Sequence, residues 1–520
     1  MFGKSGKLKK LAKQMQQAEN YREWKAAAIN HDEASGMTRW KQMDQSRMYD
    51  FVAVRTRLDR LRGLRARQDH QGLLFALNEG IHGNIGGMGK AEVHLRAQFG
   101  TKKVIEDYIQ EICDALILIA EIDESLISFE EKLDFFRRAS HCYGRTGLML
   151  SGAGALAHFH TGVVKTLIEE DILPQVISGS SGGALVAAVV GCNTHDQLAA
   201  LFEPDNLAME ASQEASLIDH VIGPGRPQID VHEVELMVNR LIPDLTFAEA
   251  RELTGIDINI SIAPAELHQT SRLLNATTSP NVYVRKGVMA SCAVPGVFPP
   301  VMLSAKNVRG ESQPYLPNRR WIDGSVTDDL PAKRLGRLYG VNHYIASQTN
   351  PLVLPFVNDS HTVQGMTGVI KDFGRSIFRE GIRGSQQLAK RYISQYPRLS
   401  LSLNMASSLA LQTYTADINL FPSFRYFDPR RILSHMSQEQ VLQMIGEGER
   451  STWPKIEMIR TCTQISRTLE GILTGLDAEQ LHRAAKKPAK KSGKKGAGAK
   501  ATAGKARKVS KRSTSGKKAA

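Results

Sequence analysis

Hydrophobic positions change rhythm along this chain. Over roughly the first 140 residues, apolar side chains recur three and four apart, the period of amphipathic helices. Tyr49, Phe51, Val52, Val54, Leu58, Leu61 and Leu64 form one such run, and Val104, Ile105, Tyr108, Ile109 and Ile112 another. After Cys142-Tyr143-Gly144-Arg145 the pattern becomes short, unbroken apolar runs closed by small residues. Residues 146–151 run into Gly152-Ala153-Gly154-Ala155, and residues 173–178 into Gly179-Ser180-Ser181-Gly182-Gly183, each followed by a helix-like stretch. Strand, turn, helix, twice over, predicts parallel strands joined by crossover helices, an α/β layer fold. Residues 256–262 and 343–347 are further strand candidates. The expected division is a helical region 1–145, an α/β domain 146–350, a helical and irregular extension 351–483, and a tail 484–520. That tail, built of Lys, Ala, Gly and Ser, has too little to bury to offset its ordering entropy, and is expected to be disordered.

Charge sharpens this division. The 520 residues hold 67 Lys+Arg against 53 Asp+Glu, a net charge of +14, yet 14 of the basic residues and no acid fall in 484–520. Residues 1–483 therefore balance at 53 of each sign. A neutral body is a poor nucleic-acid clamp, which needs cations clustered on one face, whereas the tail suits a polyanion contact: anionic membrane, granule surface, RNA or DNA. Arg55, Arg57, Arg60, Arg62, Arg65 and Arg67 also crowd one helix, but nearby acids such as Asp50 and Glu79 favour a solvated face. Lys371, Arg375, Arg379 and Arg383 recur every fourth residue beside Ile370, Phe373, Ile377 and Phe378, the pattern of an interfacial helix. No apolar run follows the basic start as in a signal peptide, and residues 115–120, flanked by Asp114 and Glu121, fall short of the ~20 a membrane span needs. The expectation is a cytoplasmic protein, associated peripherally with a membrane or lipid surface. Five widely spaced cysteines without a CxxC read as reduced thiols, and no metal site or cofactor is expected.

Gly179-Ser180-Ser181-Gly182-Gly183 matches G-x-S-x-G in the context that gives the motif meaning, with a strand leading in and a helix leading out. Small flanks at Gly179 and Gly183 let the chain fold back tightly and present the Ser181 hydroxyl at a helix N-terminus, where developing negative charge is favoured. Upstream, the amides of Gly152, Ala153 and Gly154 can approach a substrate closely enough to receive an oxyanion. A dinucleotide fingerprint fails there, because Ala157 stands where the third glycine belongs. Asp323-Gly324 closes a third apolar stretch and offers a general base. A carboxylate must be desolvated and directly hydrogen-bonded to serve a serine. A Ser-Asp-His arrangement through His343 or His361 remains an alternative, as does a catalytically idle protein that binds lipid, granules or nucleic acid.

In this order, Gly152-Ala153-Gly154, Gly179-x-Ser181-x-Gly183 and Asp323-Gly324 resemble the patatin-like phospholipase family. Ala290-Ser291-Cys292-Ala293-Val294-Pro295-Gly296-Val297-Phe298-Pro299-Pro300 also matches a family segment. Trp40-Lys41, Gly100-Thr101-Lys102-Lys103, Gln412-Thr413-Tyr414 and Gly446-Glu447-Gly448-Glu449-Arg450 are similar to the triacylglycerol-lipase subgroup with an N-terminal helical extension. The resemblance implies a three-layer α/β/α core and a serine acyl hydrolase acting on lipid esters. Ser181 would be the nucleophile, Asp323 its base without histidine, and the amides around Gly152, Ala153 and Gly154 the oxyanion hole. Two positions depart from the family pattern: the oxyanion loop is Gly-Ala-Gly, and Arg285-Lys286-Gly287 stands where an aromatic is common.

Overall fold

Each predicted helical run in the N-terminal region buries one stripe. The region comprises α1 (Phe2–Gln17), α2 (Tyr21–Ser35), α3 (Phe51–Ala66), α4 (Lys103–Glu121) and α5 (Phe129–Tyr143), with shorter turns between them. The Asp50 side chain accepts from the Val52 and Ala53 amides to start α3, whose Val54, Leu58, Leu61 and Leu64 are buried. Its arginines face acids of this same region: Arg60 meets Glu79, Arg62 meets Asp107, and Arg65 lies 3.0 Å from Glu111. Lys102 is buried with its ammonium 2.6 Å from the Trp40 and Met43 carbonyls and 4.2 Å from the centre of the Trp40 ring. Those contacts tie together two segments that the sequence singles out separately.

The computed structural model describes residues 2–209, 231–266, 269–295, 297–326, 328–350, 416–424 and 436–486, with the isolated positions 212 and 354. His361, the Lys371 to Arg383 stripe and residues 487–520 lie outside the described residues. The chain divides into two units, Met1–Thr474 and Gly475–Ala520. The first contains every element that builds the sheet and its flanking layers.

Beyond α5 the chain alternates as its apolar runs predict: β1 (Arg145–Leu150), α6 (Ala157–Glu169), β2 (Val176–Gly179), α7 (Gly182–Cys192) and, later, β3 (Asp257–Pro264). There follow β4 (Arg272–Leu274), α8 (Val284–Ser291), the hairpin β5 (Leu303–Lys306) and β6 (Ser312–Tyr315), then β7 (Trp321–Asp323), α9 (Ala332–Tyr339), β8 (Val341–Ser347) and β9 (Ile418–Leu420). The main sheet has the order β4-β3-β2-β1-β8-β9, with β7 also on β3. Its centre is parallel, and β4 and β7 run antiparallel to β3. Both faces are covered, which is why β1 and β2 end in apolar runs and why even the alternating Asp257, Asn259 and Ser261 of β3 are buried. Leu148 and Leu150 pack on one side with Phe159 and Val163 of α6, while Met149 packs on the other with Leu335 of α9. The layers are helix, sheet and helix, an α/β fold with a helical region in front.

Register places the functional strand ends. Ile262 pairs with Arg272 of β4 on one side and with Asp323 of β7 on the other. β2 leaves β3 at the Gly179–Ile260 pair, so β7 takes the edge that β2 has vacated. Asp323 is thereby delivered beside the turn that begins at Gly179.

Two further helices, α10 (Gln438–Thr452) and α11 (Ile456–Lys486), follow the sheet. α10 lies against α6 with backbone meeting backbone. A Cβ at Gly448 would collide with the Phe159 carbonyl, and one at Gly162 with the Ile445 carbonyl. Gly448→Val is therefore expected to cost about 3 kcal/mol or more and to lower the midpoint of thermal unfolding. At Gly446 an added methyl would meet only the flexible end of Arg450, so Gly446→Ala is expected to be neutral or stabilising by up to ~1 kcal/mol. Thermal denaturation of the two variants checks the contrast.

Candidate active site

β2 ends at Gly179 and α7 begins at Gly182, leaving two residues to reverse the chain. Ser181 takes up the turn with φ 51° and ψ −124°, a strained backbone for a residue with a Cβ, costing on the order of 1–3 kcal/mol. Glycine is required on both sides. A Cβ at Gly179 would strike the Gly183 carbonyl, and one at Gly183 would sit 2.5 Å from the Leu150 carbonyl. The strain is held by a contact absent from the motif. The Ser181 amide donates to Ser291 Oγ at 2.9 Å, and that hydroxyl donates to the Ser261 carbonyl at 2.7 Å. Ser291 is fully buried at the end of α8.

Asp323 ends β7, with its amide on the Ala293 carbonyl and its Oδ1 accepting from the Ser325 amide at 2.8 Å. Its side chain is buried. Burial pushes its carboxyl from the ordinary value up to about 6, against the pull of the Ser325 amide and hydroxyl and of the Ser181 hydroxyl, which all favour the charged form. Nucleophile and base candidates, 142 positions apart in sequence, are thus brought together in a desolvated site.

The loop after β1 carries the third element. The Gly152 amide, expected from sequence among the oxyanion donors, points inward and donates to Asp329 Oδ1 at 2.6 Å. The carbonyl of the same peptide, on Ser151, accepts from His160 Nε2 at 3.0 Å. A carbonyl can only accept, so His160 carries its proton on Nε2, leaving Nδ1 to accept from Ser347 Oγ at 2.7 Å. Burial pushes the His160 imidazole down to about 4, so it stays neutral. The Ala153 and Gly154 amides follow, and have no intramolecular acceptor among the described residues. Physically, Gly152 anchors the loop, and the Ala153 and Gly154 amides keep their donor capacity.

The histidine alternative fails on geometry where it can be examined. His343 pairs with Thr146 at the start of β1, whereas Leu150, four residues further on, marks the end where Ser181 sits. Four strand residues span about 13 Å, beyond the reach of an imidazole. His343 bonds instead to Thr146 Oγ1 at 3.1 Å. The other candidate, His361, lies outside the described residues. Arg285 and Lys286, the departure from the family pattern, turn toward the helix Val231–Leu241: Arg285 donates to the Ile242 carbonyl at 2.6 Å and Lys286 to Glu235 at 2.5 Å. Ser291, His160, Asp329 and Asn350 at the site were not singled out for a role from sequence. Ser291, His160 and Asp329 act through partners more than 100 positions away, and Asn350 through Asp329.

Residues 148–335 match the family described as patatin-like phospholipase, and residues 1–141 match a domain of unknown function, DUF3336. The chain is 32% identical to triacylglycerol lipase SDP1L of Arabidopsis thaliana, over 91% of this chain and 60% of that protein. It is 31% identical to triacylglycerol lipase 4 of Saccharomyces cerevisiae, over 87% and 51%. With triacylglycerol lipase ptl2 of Schizosaccharomyces pombe it shares 32%, over 89% and 75%. It thus spans only about half to three quarters of the length of these relatives. Among solved structures, VipD from Legionella pneumophila aligns over 58% of this chain and 67% of that one, at 14% identity and a TM-score of 0.25, a likeness too slight to carry weight.

Proposed function

Because this chain belongs to the patatin-like phospholipase family, we propose that it hydrolyses lipid esters through an acyl-enzyme on Ser181, with Asp323 as the only base. One observation carries the reading: a strained serine at the head of α7 is brought beside a buried carboxylate held near pKa 6. Ser181 Oγ attacks the ester carbonyl carbon as its proton passes to Asp323. The oxyanion so formed meets the Ala153 and Gly154 amides and the positive end of α7, interactions worth about 3–4 kcal/mol for a well-aimed donor. Collapse expels the alcohol, which takes the proton back from Asp323. Water, deprotonated by the same carboxylate, then attacks the acyl carbon; collapse frees the fatty acid as Asp323 returns that proton to Ser181 Oγ. A carboxylate with an ordinary pKa is a weak base; raised to about 6 it remains ionised at neutral pH and accepts a proton more readily.

For substrate we infer triacylglycerol. The relatives' names support this, as does a small apolar cleft beside α7, near but not including Ser181, lined by Leu185, Val186, Val189, Phe202, Leu207 and Ile445. Leu185 stands one helical turn beyond Ser181. Such a substrate brings the protein to a lipid surface, membrane or droplet, from outside; among the described residues no helix is long and apolar enough to cross a membrane. Initial rates on emulsified triacylglycerol, phosphatidylcholine vesicles and p-nitrophenyl butyrate test the reading. Triacylglycerol should exceed phosphatidylcholine by about tenfold or more. The reverse order would make it a phospholipase, and no hydrolysis of any ester would remove the enzyme.

A further inference from the structure

We propose that Asp329 is a positioning residue that keeps the oxyanion hole assembled, acting through Gly152 and Ser180 without touching substrate. This rests on the reading of Ser181 as nucleophile. Three segments that come together only in the folded chain meet on this one residue. Its Oδ1 accepts from the Gly152 amide at 2.6 Å, in the loop after β1. Its Oδ2 accepts from Asn350 Nδ2 at 3.1 Å, just beyond β8. Its main-chain carbonyl accepts from the Ser180 hydroxyl at 3.2 Å, in the turn that presents Ser181. Asp329 itself is fully buried, six residues after Asp323.

The geometry constrains one peptide in particular. The plane joining Ser151 and Gly152 is gripped at both polar atoms, its carbonyl by His160 Nε2 and its N–H by Asp329. A peptide held at both ends cannot rotate, so the chain enters the Ala153 and Gly154 turn in one fixed orientation. Without Asp329 the Gly152 N–H becomes a buried donor with no acceptor and would gain by turning away. Turning that plane swings both neighbouring amides with it. Hole donors stabilise charge only if they are oriented before it develops.

The choice of a carboxylate fits this role better than simple packing. Both oxygens accept N–H donors, so the ionised form suits the contacts, and charged acceptors hold shorter and stronger bonds than neutral ones. Burial nevertheless pushes the carboxyl up to about 7, with the charges of Asp323 and Asp328 adding to the effect. The carboxyl is therefore close to half ionised at neutral pH, and the Gly152 and Asn350 donors are what favour its charged form.

The test uses the full chain with Asp329→Ala and Asp329→Asn, read as kcat and KM on p-nitrophenyl butyrate, with thermal melts. Asp329→Ala should lower kcat by about 100-fold or more with KM within about threefold, because aim is lost and not affinity. Asp329→Asn should recover kcat to within about tenfold of the parent, since the amide oxygen still accepts from Gly152 and Asn350 can present its own oxygen to the new amide. Equal losses in both variants, or a loss confined to KM, would overturn the proposal. If Asp329→Ala does not fold, Asn350→Ala reads the same link: kcat reduced about tenfold at unchanged KM supports it, and unchanged kcat overturns it. A parent chain that is inactive, or a Ser181→Ala variant that stays active, would instead indict the nucleophile assignment beneath it.

Discussion

Asp323→Asn yields a folded protein whose ester hydrolysis is slower by about 10⁴-fold or more. The amide keeps the volume of the carboxylate, and its oxygen can still accept from the Ser325 amide, so the site retains its shape. What it loses is the capacity to take the Ser181 proton, and no neutral amide substitutes for that. The parent chain should show kcat/KM rising with pH and levelling off, with half of the maximum near the value of about 6 that burial gives Asp323. The sign follows from the role, because a base works when ionised. Stability runs the other way. The folded carboxyl binds its proton more tightly than an unfolded one, whose value is 3.8, so stability falls as pH rises from there through about 6. At neutral pH the Asn variant should therefore melt no lower than the parent while being nearly inactive. A melt well below the parent would show the carboxylate to be mainly structural.

Ser181→Gly should abolish turnover and stabilise the protein at the same time. Removing a catalytic serine typically costs about 10⁶-fold in kcat, because the covalent route is closed. The stability gain comes from the backbone. At φ 51° a Cβ is strained, glycine is not, and relief should recover about 1 kcal/mol, partly offset by the extra freedom of glycine in the unfolded chain. Ser181→Ala keeps the strain and should be equally inactive without that gain. Comparing the two melts with both activities separates strain from chemistry: inactive in both, more stable only in the glycine variant.

How much of this could be read from the chain depended on how local the cause was. The turn at Ser181 is written in five consecutive residues, with glycine wherever a Cβ would collide with a carbonyl. The first two strands were visible as short apolar runs closed by small residues, and β3 as an alternation of isoleucine with Asp257, Asn259 and Ser261, polar side chains that are themselves buried because both faces of the sheet are covered. Asp323 was legible as an Asp-Gly closing a strand; its place beside Ser181 was not, because that depends on β7 taking the edge of β3 beyond the end of β2. The supporting residues were hidden for the same reason. Ser291 reaches the Ser181 amide across 110 positions, Asp329 reaches Gly152 across 177, and His160 reaches Ser347 across 187. None carries a pattern that its neighbours reveal. Gly152 shows the limit most sharply: its small size and place after a strand suit an oxyanion donor, and only a distant carboxylate turns its N–H inward.

The central claim is that Ser181 is an activated nucleophile working with Asp323, and covalent labelling tests it most directly. The parent chain, Ser181→Ala and Asp323→Asn would each be exposed to a fluorophosphonate ester, then weighed intact and mapped by peptide. The account predicts a single adduct on the peptide holding Ser181 in the parent, none in Ser181→Ala, and labelling slowed by about 100-fold or more in Asp323→Asn. An adduct on another residue, or equal labelling rates with and without the Asp323 carboxylate, would contradict it.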